Sequence, residues 1–296
     1  MLKSLLYLLT ALISTVPASA AAISTDSIAD ADSLILAHEY DRAQKLLEVS
    51  LAGASDQKEK SEILWRLSRI STMRGENAGT KESARVFYSK AVELASQAIA
   101  ADRTNPNGYL WHCASIGMEC KTHNVLSQAS KVPAMRDDLE MILDKLKCIG
   151  FGEAWQAMSE LYYYHPFLST DAAINYARVA ALHENDDNMY LYTCIFLAQM
   201  LYERNWSASK RASVFADDAV SFRKPAKNTE KYSWYDGSPE LDRKSVWSKT
   251  PLASLSDRQE AKAILNHLLA RCERSATVDR NGTDFKNLLN LNQEWK

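Results

Sequence analysis

Apolar residues recur at helical spacing through most of the chain, and the breaks between the runs are short and polar. Ala31 and Leu34 predict a short helix over Ser27–Ala37 with one inward face. His38, Glu39 and Tyr40 make the turn, and Asp41 caps a helix that buries Ala43 and Leu47. Beyond Gly53–Asp56, Ile63, Leu64, Leu67 and Ile70 predict a long helix from about Lys58 to Met73. Gly75–Thr80 interrupts the pattern, and Ala84, Tyr88, Ala91, Ala95 and Ala98 mark the inner face of Lys81–Ala101. Asn105-Pro106 starts a helix that reaches about Cys120, and a polar link leads to a further helix through Lys147. Gly150 and Gly152 precede the helix of Trp155, and Ser169-Thr170-Asp171 caps its partner. His183–Asp187 is the next loop, and a last pair spans Asn188–Arg204 and Ser207–Phe222.

From Arg223 to Ser256 the helical period disappears. Pro225, Gly237, Pro239 and Pro251 break the segment, while Tyr232, Trp234, Tyr235 and Trp247 make it aromatic. Disordered tails are poor in aromatics, so this segment packs on something. The expected receiving surface is the inner face carrying Trp65, Arg69, Tyr109 and Tyr163, where Arg69 and the Tyr rings would stack on it. Ser256-Asp257 then opens a helix to about Arg274 with Ala261, Ile264, Leu265 and Leu268 on one face, a terminal cap for a helical stack. The last twenty residues are polar and weakly specified. The organisation is therefore a leader over 1–20, a helical array over 21–222, an aromatic extension over 223–256, and a capping helix with a polar tail over 257–296.

Within the array one phrase repeats. Trp155, Met158, Ser159 and Tyr162, followed by Ala172 and Tyr176, match the spacing of a tetratricopeptide helix pair. Weaker copies stand at Leu64, Leu67, Ser68 and Ser71, at Trp111, Ala114, Ser115 and Met118, and at Tyr190, Thr193, Cys194 and Leu197. The landmarks Leu64, Trp111, Trp155 and Tyr190 lie about 47, 44 and 35 residues apart, against about 34 in the regular repeat. The fold class is thus all-α, an irregular solenoid of four to five tetratricopeptide-like pairs with a non-repetitive C-terminal extension. Glu39-Tyr40-Asp41-Arg42-Ala43, Ile63 to Arg69, and Ala98 to Asp102 leading into Asn105-Pro106 and Tyr109 to His112 add a second likeness. Over about Asp30 to Asp186 the order of these phrases resembles the regulator-of-microtubule-dynamics-like group, which includes exported bacterial members. The resemblance implies an all-helical fold and a binding role. It does not imply microtubules, which an exported bacterial chain would not meet.

Composition narrows the picture. Only 9 Gly and 7 Pro in 296 residues argue against a loop-rich or all-β protein. A formal net charge of −2 leaves no electrostatic footprint for nucleic acid. Lys3, the apolar stretch Leu5–Val16 and Ala18-Ser19-Ala20 read as a secretory signal peptide cut after Ala20, so the mature chain is expected to be exported, periplasmic or secreted. No later apolar run has spanning length. The 5 Cys leave an odd thiol, and Cys113 and Cys120 on one helix would stand about 10.5 Å apart, beyond disulfide reach.

Nucleotide, serine-hydrolase and zinc-protease motifs are missing from the sequence, and no cofactor is implied. His183–Asp187 lacks the ligand spacing of a calcium loop, and Cys120 with His123 supplies two metal ligands where a zinc site needs more. The positions expected to line the inner face are Glu62, Trp65 and Arg69; Tyr109, His112 and Glu119; and Glu153, Gln156, Glu160 and Tyr163. Aromatics mixed with both charges suit a peptide or protein partner. The reading is a non-catalytic exported adaptor; a small-ligand component of a transport system and an enzyme without a known motif are the alternatives. Helical repeats expose edges, which makes a homo-oligomer compatible with the pattern.

Overall fold

Helix starts follow capping side chains. Thr80 Oγ1 accepts from the Ser83 amide at 3.1 Å, Asn105 Oδ1 from Asn107 at 3.0 Å and Ser169 Oγ from Ala172 at 3.3 Å. Each satisfies one amide that a helix leaves unpaired at its N-terminus, worth about 1 kcal/mol. The computed structural model describes residues 25–123, 129–184, 186–239, 247–248 and 250–295, and every regular element among them is helical. The fold is all-α. The leader read over residues 1–20 lies outside the described residues. The chain forms two compact units, which divide between Cys148 and Ile149.

The first unit contains α1 (Thr25–Leu36), α2 (Tyr40–Gly53), α3 (Gln57–Glu76), α4 (Lys81–Ala101), α5 (Pro106–Cys120) and α6 (Val132–Glu140), which runs into a π-helical turn at Met141–Lys145. Two details differ from the pattern reading. Ala31 is buried as expected, but its partner on α1 is Ile35 and Leu34 only flanks the core, because the inward stripe runs 28, 31, 35. The helix after the turn begins at Tyr40, so Asp41 sits in its first turn and pairs with Arg74 instead of capping.

The α3–α4 hairpin explains why small residues recur on α3. Ser61, Ser68 and Ser71 donate to the carbonyls of Ala98, Ala91 and Phe87 on α4 at 2.9, 2.8 and 2.8 Å. Short hydroxyl side chains both satisfy themselves and let the two backbones close up. Gly75 ends this stripe; a Cβ there would lie 2.3 Å from the Tyr88 ring.

The second unit contains α7 (Gly152–Tyr164), α8 (Thr170–His183), α9 (Asp187–Arg204), α10 (Ala208–Phe222), the short α11 (Asn228–Tyr232), α12 (Asp257–Arg274) and α13 (Thr283–Glu294). The two helices of the Trp155 phrase lie side by side. Ser159 Oγ donates to Ala173 O at 2.7 Å, while Tyr176 stacks on Trp155 and meets Tyr162 edge-on, with centroids 5.8 and 5.1 Å apart. The last twenty residues are not weakly specified. They form α13, which lies against α9 and α12, buries Leu288 and Leu291, and stacks Trp295 on Tyr202 at 4.0 Å. A stripe of only four apolar side chains in a polar, Asn-rich sequence conceals that helix.

The aromatic extension also packs differently from expectation. Tyr232 meets Trp155 at 5.2 Å and Phe222 at 6.0 Å, and Tyr235 is buried beside Phe222. Asn175 Nδ2 donates to Ser233 O and its Oδ1 accepts from the Asp236 amide, both at 2.7 Å; Tyr176 donates to Thr229 O at 2.9 Å. Among the described residues the receiving surface is α7, α8 and α10 of the second unit, where the expected one was the face of Trp65, Arg69, Tyr109 and Tyr163. Asn175 and Tyr176 supply the hydrogen bonds that an irregular backbone needs, which the inner-face residues were never positioned to do.

Candidate functional site

The ten inner-face candidates divide by unit and by burial. On α3, Glu62 is half-exposed and organises its neighbours. Its carboxylate accepts from Trp65 Nε1 at 2.9 Å, Arg66 Nη1 at 2.7 Å and Asn105 Nδ2 at 2.8 Å. Arg66 in turn grips Asp32 of α1 through two 2.9 Å bonds. Trp65 and Arg69 are buried, Arg69 lying 5.7 Å over the Trp111 ring of α5. On α5, Tyr109 is buried and donates to Arg103 O at 3.2 Å. Partly exposed His112 meets Asp138 at 2.7 Å, and mostly buried Glu119 accepts from Ser89 at 2.7 Å. Burial pushes the Asp138 carboxyl up and the His112 contact pulls it back.

On α7, Glu153, Gln156 and Glu160 are buried and Tyr163 is half-exposed. Glu160 Oε1 accepts from Gln156 Nε2 and from the Tyr192 hydroxyl, both at 2.9 Å. Tyr163 donates to Glu203 at 2.5 Å and its ring meets Phe196 edge-on at 5.2 Å. Burial first, then nearby carboxylates, hold the Tyr163 and Tyr164 phenols well above the usual range. Six of the ten candidates are thus interior anchors, and Glu62, His112, Glu119 and Tyr163 are those left partly open to a partner.

The most concentrated chemistry in the molecule lies elsewhere. In the second unit Arg178 of α8, Arg204 of α9 and Arg211 of α10 converge on Asp236 of the extension and on Asp257 and Glu260 of α12. No member is more than 6% exposed at its side chain. Glu260 Oε2 accepts from Arg178 Nη2 at 2.8 Å and Arg211 Nη2 at 2.6 Å, and its Oε1 pairs with Arg178 Nη1 and accepts from Trp247 Nε1 at 3.2 Å. Asp257 takes Arg204 as a fork, through Nε at 2.8 Å and Nη2 at 2.9 Å. Arg178 Nε lies 2.6 Å from Asp236 Oδ1 in a contact too bent for a hydrogen bond, so charge rather than alignment holds that pair. The Arg178 and Arg211 guanidinia hold the Glu260 carboxyl down at about 2 against the opposing effect of burial. Asp218, beside the cluster, goes the other way: burial, then Asp236 and Asp171, push it up to about 7.

A signal for this cluster was present in the helical register. Asp257, Ala261, Ile264 and Leu268 form one stripe, with Glu260 beside it, and Arg211, Phe215 and Asp218 form another. Charges on an apolar stripe are inward-facing charges.

Comparison with known proteins bears on the first unit. The family model of Regulator of microtubule dynamics protein 1-3 matches residues 27–141. No curated protein and no solved structure matches the chain. The matched span covers α1 to α6 and carries Glu62, Trp65, Arg69, Tyr109, His112 and Glu119; it is under half of the 296 residues. The similarity leaves the second unit, with its ion cluster, unmatched.

Among the described residues there is no group of three or more side chains placed to hold a metal, and no helix is long and apolar enough to cross a membrane. In the His183–Asp187 stretch, Asp186 caps α9 and Asp187 accepts from Ser275, Thr277 and Arg271, which holds its carboxyl down at about 2. None of the five cysteines is joined in a disulfide. Burial pushes Cys120 up to about 11 and Cys194 up to about 12, so both stay protonated at neutral pH.

Proposed function

We propose that the protein is a non-catalytic binding module of the adaptor type, exported from the cytoplasm, that engages a protein or peptide partner. The observation that carries this reading is what the α3–α5 face leaves accessible. Glu62, His112 and Glu119 keep 32%, 20% and 14% of their side-chain surface open while hydrogen bonds to Trp65, Arg66, Asn105, Asp138 and Ser89 fix their positions. A preorganised face of mixed charge loses little conformational entropy when a partner docks. Its placement within the span similar to Regulator of microtubule dynamics protein 1-3 fits a binding role. The second unit supports the same reading, since its strongest ionisable groups are neutralised by one another in a dry interior.

Export rests on Lys3, the apolar Leu5–Val16 and Ala18-Ser19-Ala20. N-terminal sequencing of protein from its own cells is expected to read from Ala21; a retained Met1 overturns the exported assignment. Native mass spectrometry of the same material is expected to show a stoichiometric protein partner, lost in a Glu62→Lys/Glu119→Lys variant. A co-purifying small molecule in place of a protein would overturn the adaptor reading in favour of a ligand-binding role.

A further inference from the structure

The helix α13 differs from its neighbours in what holds it. The network of three arginines and three carboxylates fastens α8, α9, α10 and α12 to one another. Among the described residues, no side chain of α13 makes a hydrogen bond or an ion pair, and Gly282 gives the helix no side-chain cap. Four apolar groups attach it: Phe285, Leu288, Leu291 and Trp295, spaced as one helical stripe against α9 and α12. The fit is incomplete. A cleft of about 290 Å³ stays open between α12 and α13, lined by Leu269, Cys272, Phe285 and Leu289 with Glu273 and Arg280 at its polar side. The tether, by contrast, is secure. Ser275 donates to Asp187 at 2.6 Å, and the Asp279 amide donates to Asn188 Oδ1 at 2.9 Å. The helix can therefore lift about residues 280–282 while the chain before it stays in place.

We propose that α13 is an internal ligand, and that the face of α9 and α12 it covers is a docking site for an amphipathic helix of a partner protein with leucines and aromatics at the same spacing. The inference rests on the adaptor reading and names the partner's chemistry. An apolar groove of this kind reads a helical stripe, and the sequence now lying in it defines the stripe it accepts. The competition is between a segment tethered at high effective concentration and one arriving from solution, so an outside helix gains the site in proportion to the fraction of time α13 is lifted. A partner that also fills the open cleft has the advantage over α13.

The test uses the full chain. Native-state hydrogen exchange is expected to show α13 amides opening at least tenfold more often than those of α9 and α12. A labelled peptide spanning Gly282–Lys296 should then bind the full-length Leu288→Asp/Leu291→Asp variant at least tenfold more tightly than the unsubstituted protein. The same peptide carrying Leu288→Asp should not bind. Three results each overturn the proposal: α13 amides that exchange only together with those of α12, a folded variant that ignores the peptide, or equal binding to both proteins. Should the variant fail to fold, hydrogen exchange on the unsubstituted protein decides alone. None of these failures removes a partner found by native mass spectrometry, so the adaptor reading stands or falls separately.

Discussion

Glu260→Gln tests the ion cluster at its most connected point. Glu260 has a side-chain exposure of 0% and accepts from Arg178, Arg211 and Trp247. The buried set is balanced, with Arg178, Arg204 and Arg211 against Asp236, Asp257 and Glu260. Glutamine keeps the size but leaves one positive charge uncompensated in a dry interior. Breaking a buried pair in this way costs about 3–5 kcal/mol. For a unit of this size about 1 kcal/mol moves the melting temperature by roughly 2–4 °C, so a fall of roughly 6–20 °C follows. An exposed pair such as Lys90–Glu93 serves as the control, and Lys90→Ala should cost about 0.5 kcal/mol or less. The charge-balanced double variant Arg178→Met/Glu260→Leu should lose less than Glu260→Gln alone, because apolar replacement of both partners removes the desolvation cost as well as the attraction. Calorimetry and urea unfolding measure all three. A Glu260→Gln protein that melts within about 2 °C of the parent would refute the claim that this cluster is dry and charge-balanced.

Gly237→Ala is expected to detach the extension, since a Cβ at that position would lie 2.1 Å from the Asp218 backbone carbon and neither backbone can yield; cleavage by a protease within 223–256 should rise at least tenfold, with the first unit's melting unchanged. Stability should peak near pH 4. Glu76 and Asp218 are pushed up to about 7 and Asp284 to about 6, each mainly by burial, so the stability they contribute is complete below the unfolded value near 4 and is lost as pH rises through 6–7. Glu260 and Asp187, held down at about 2, act oppositely: their contribution is present above about 4 and disappears as pH falls towards 2. Burial lowers His183 and His267, which favours the folded state above about 6.5 and blunts the alkaline decline without cancelling three carboxylates. Melting curves from pH 3 to pH 8 check this, and Asp218→Asn should flatten the decline between about pH 4 and pH 7.

Much of the fold was legible because helix caps and small-residue stripes are local signals. Thr80 and the alanine series fixed Lys81–Ala101 residue for residue, and Ser256 with Gln259 forms the capping box that opens α12. Ser159 donates to Ala173 O and Tyr162 meets Tyr176 edge-on, so the residues of the Trp155 phrase do come together. What escaped notice depends on contacts distant in sequence. Arg178 reaches Glu260 across 82 positions and Asn175 reaches Asp236 across 61. Nothing in a local pattern says which helix will receive an irregular segment. Six of the ten inner-face candidates are buried for a related reason. Trp65, Gln156 and Glu160 occupy the positions that a regular repeat leaves open, but here they bond to their own neighbours: Trp65 to Glu62, Gln156 to Glu160, and Glu160 to Tyr192.

The ion cluster also decides what the extension is. Asp236 lies in a segment with no helical period, and Asp257 and Glu260 lie beyond it in sequence, yet these three supply the negative charge for arginines on α8, α9 and α10. A chain ending at Phe222 would retain all three arginines and lose all three of those carboxylates. Asp171 and Asp218 would remain, but the first is half-exposed and the second is pushed towards its neutral form. Several kcal/mol per unpaired buried ion would then exceed the whole stability of a domain, about 5–15 kcal/mol. Truncation after Phe222 is accordingly expected to unfold α7 to α10, not merely to bare an apolar patch. The first unit keeps its own core of Ala43, Leu47, Ile63, Leu67 and Ile70. Circular dichroism of the truncated chain should therefore show helix lost from 149–222 and retained in 25–148, and limited proteolysis should stop near Cys148. If α7 to α10 stay protected in that chain, the arginines have found water or other partners, and the extension is an accessory to the second unit instead of part of its interior.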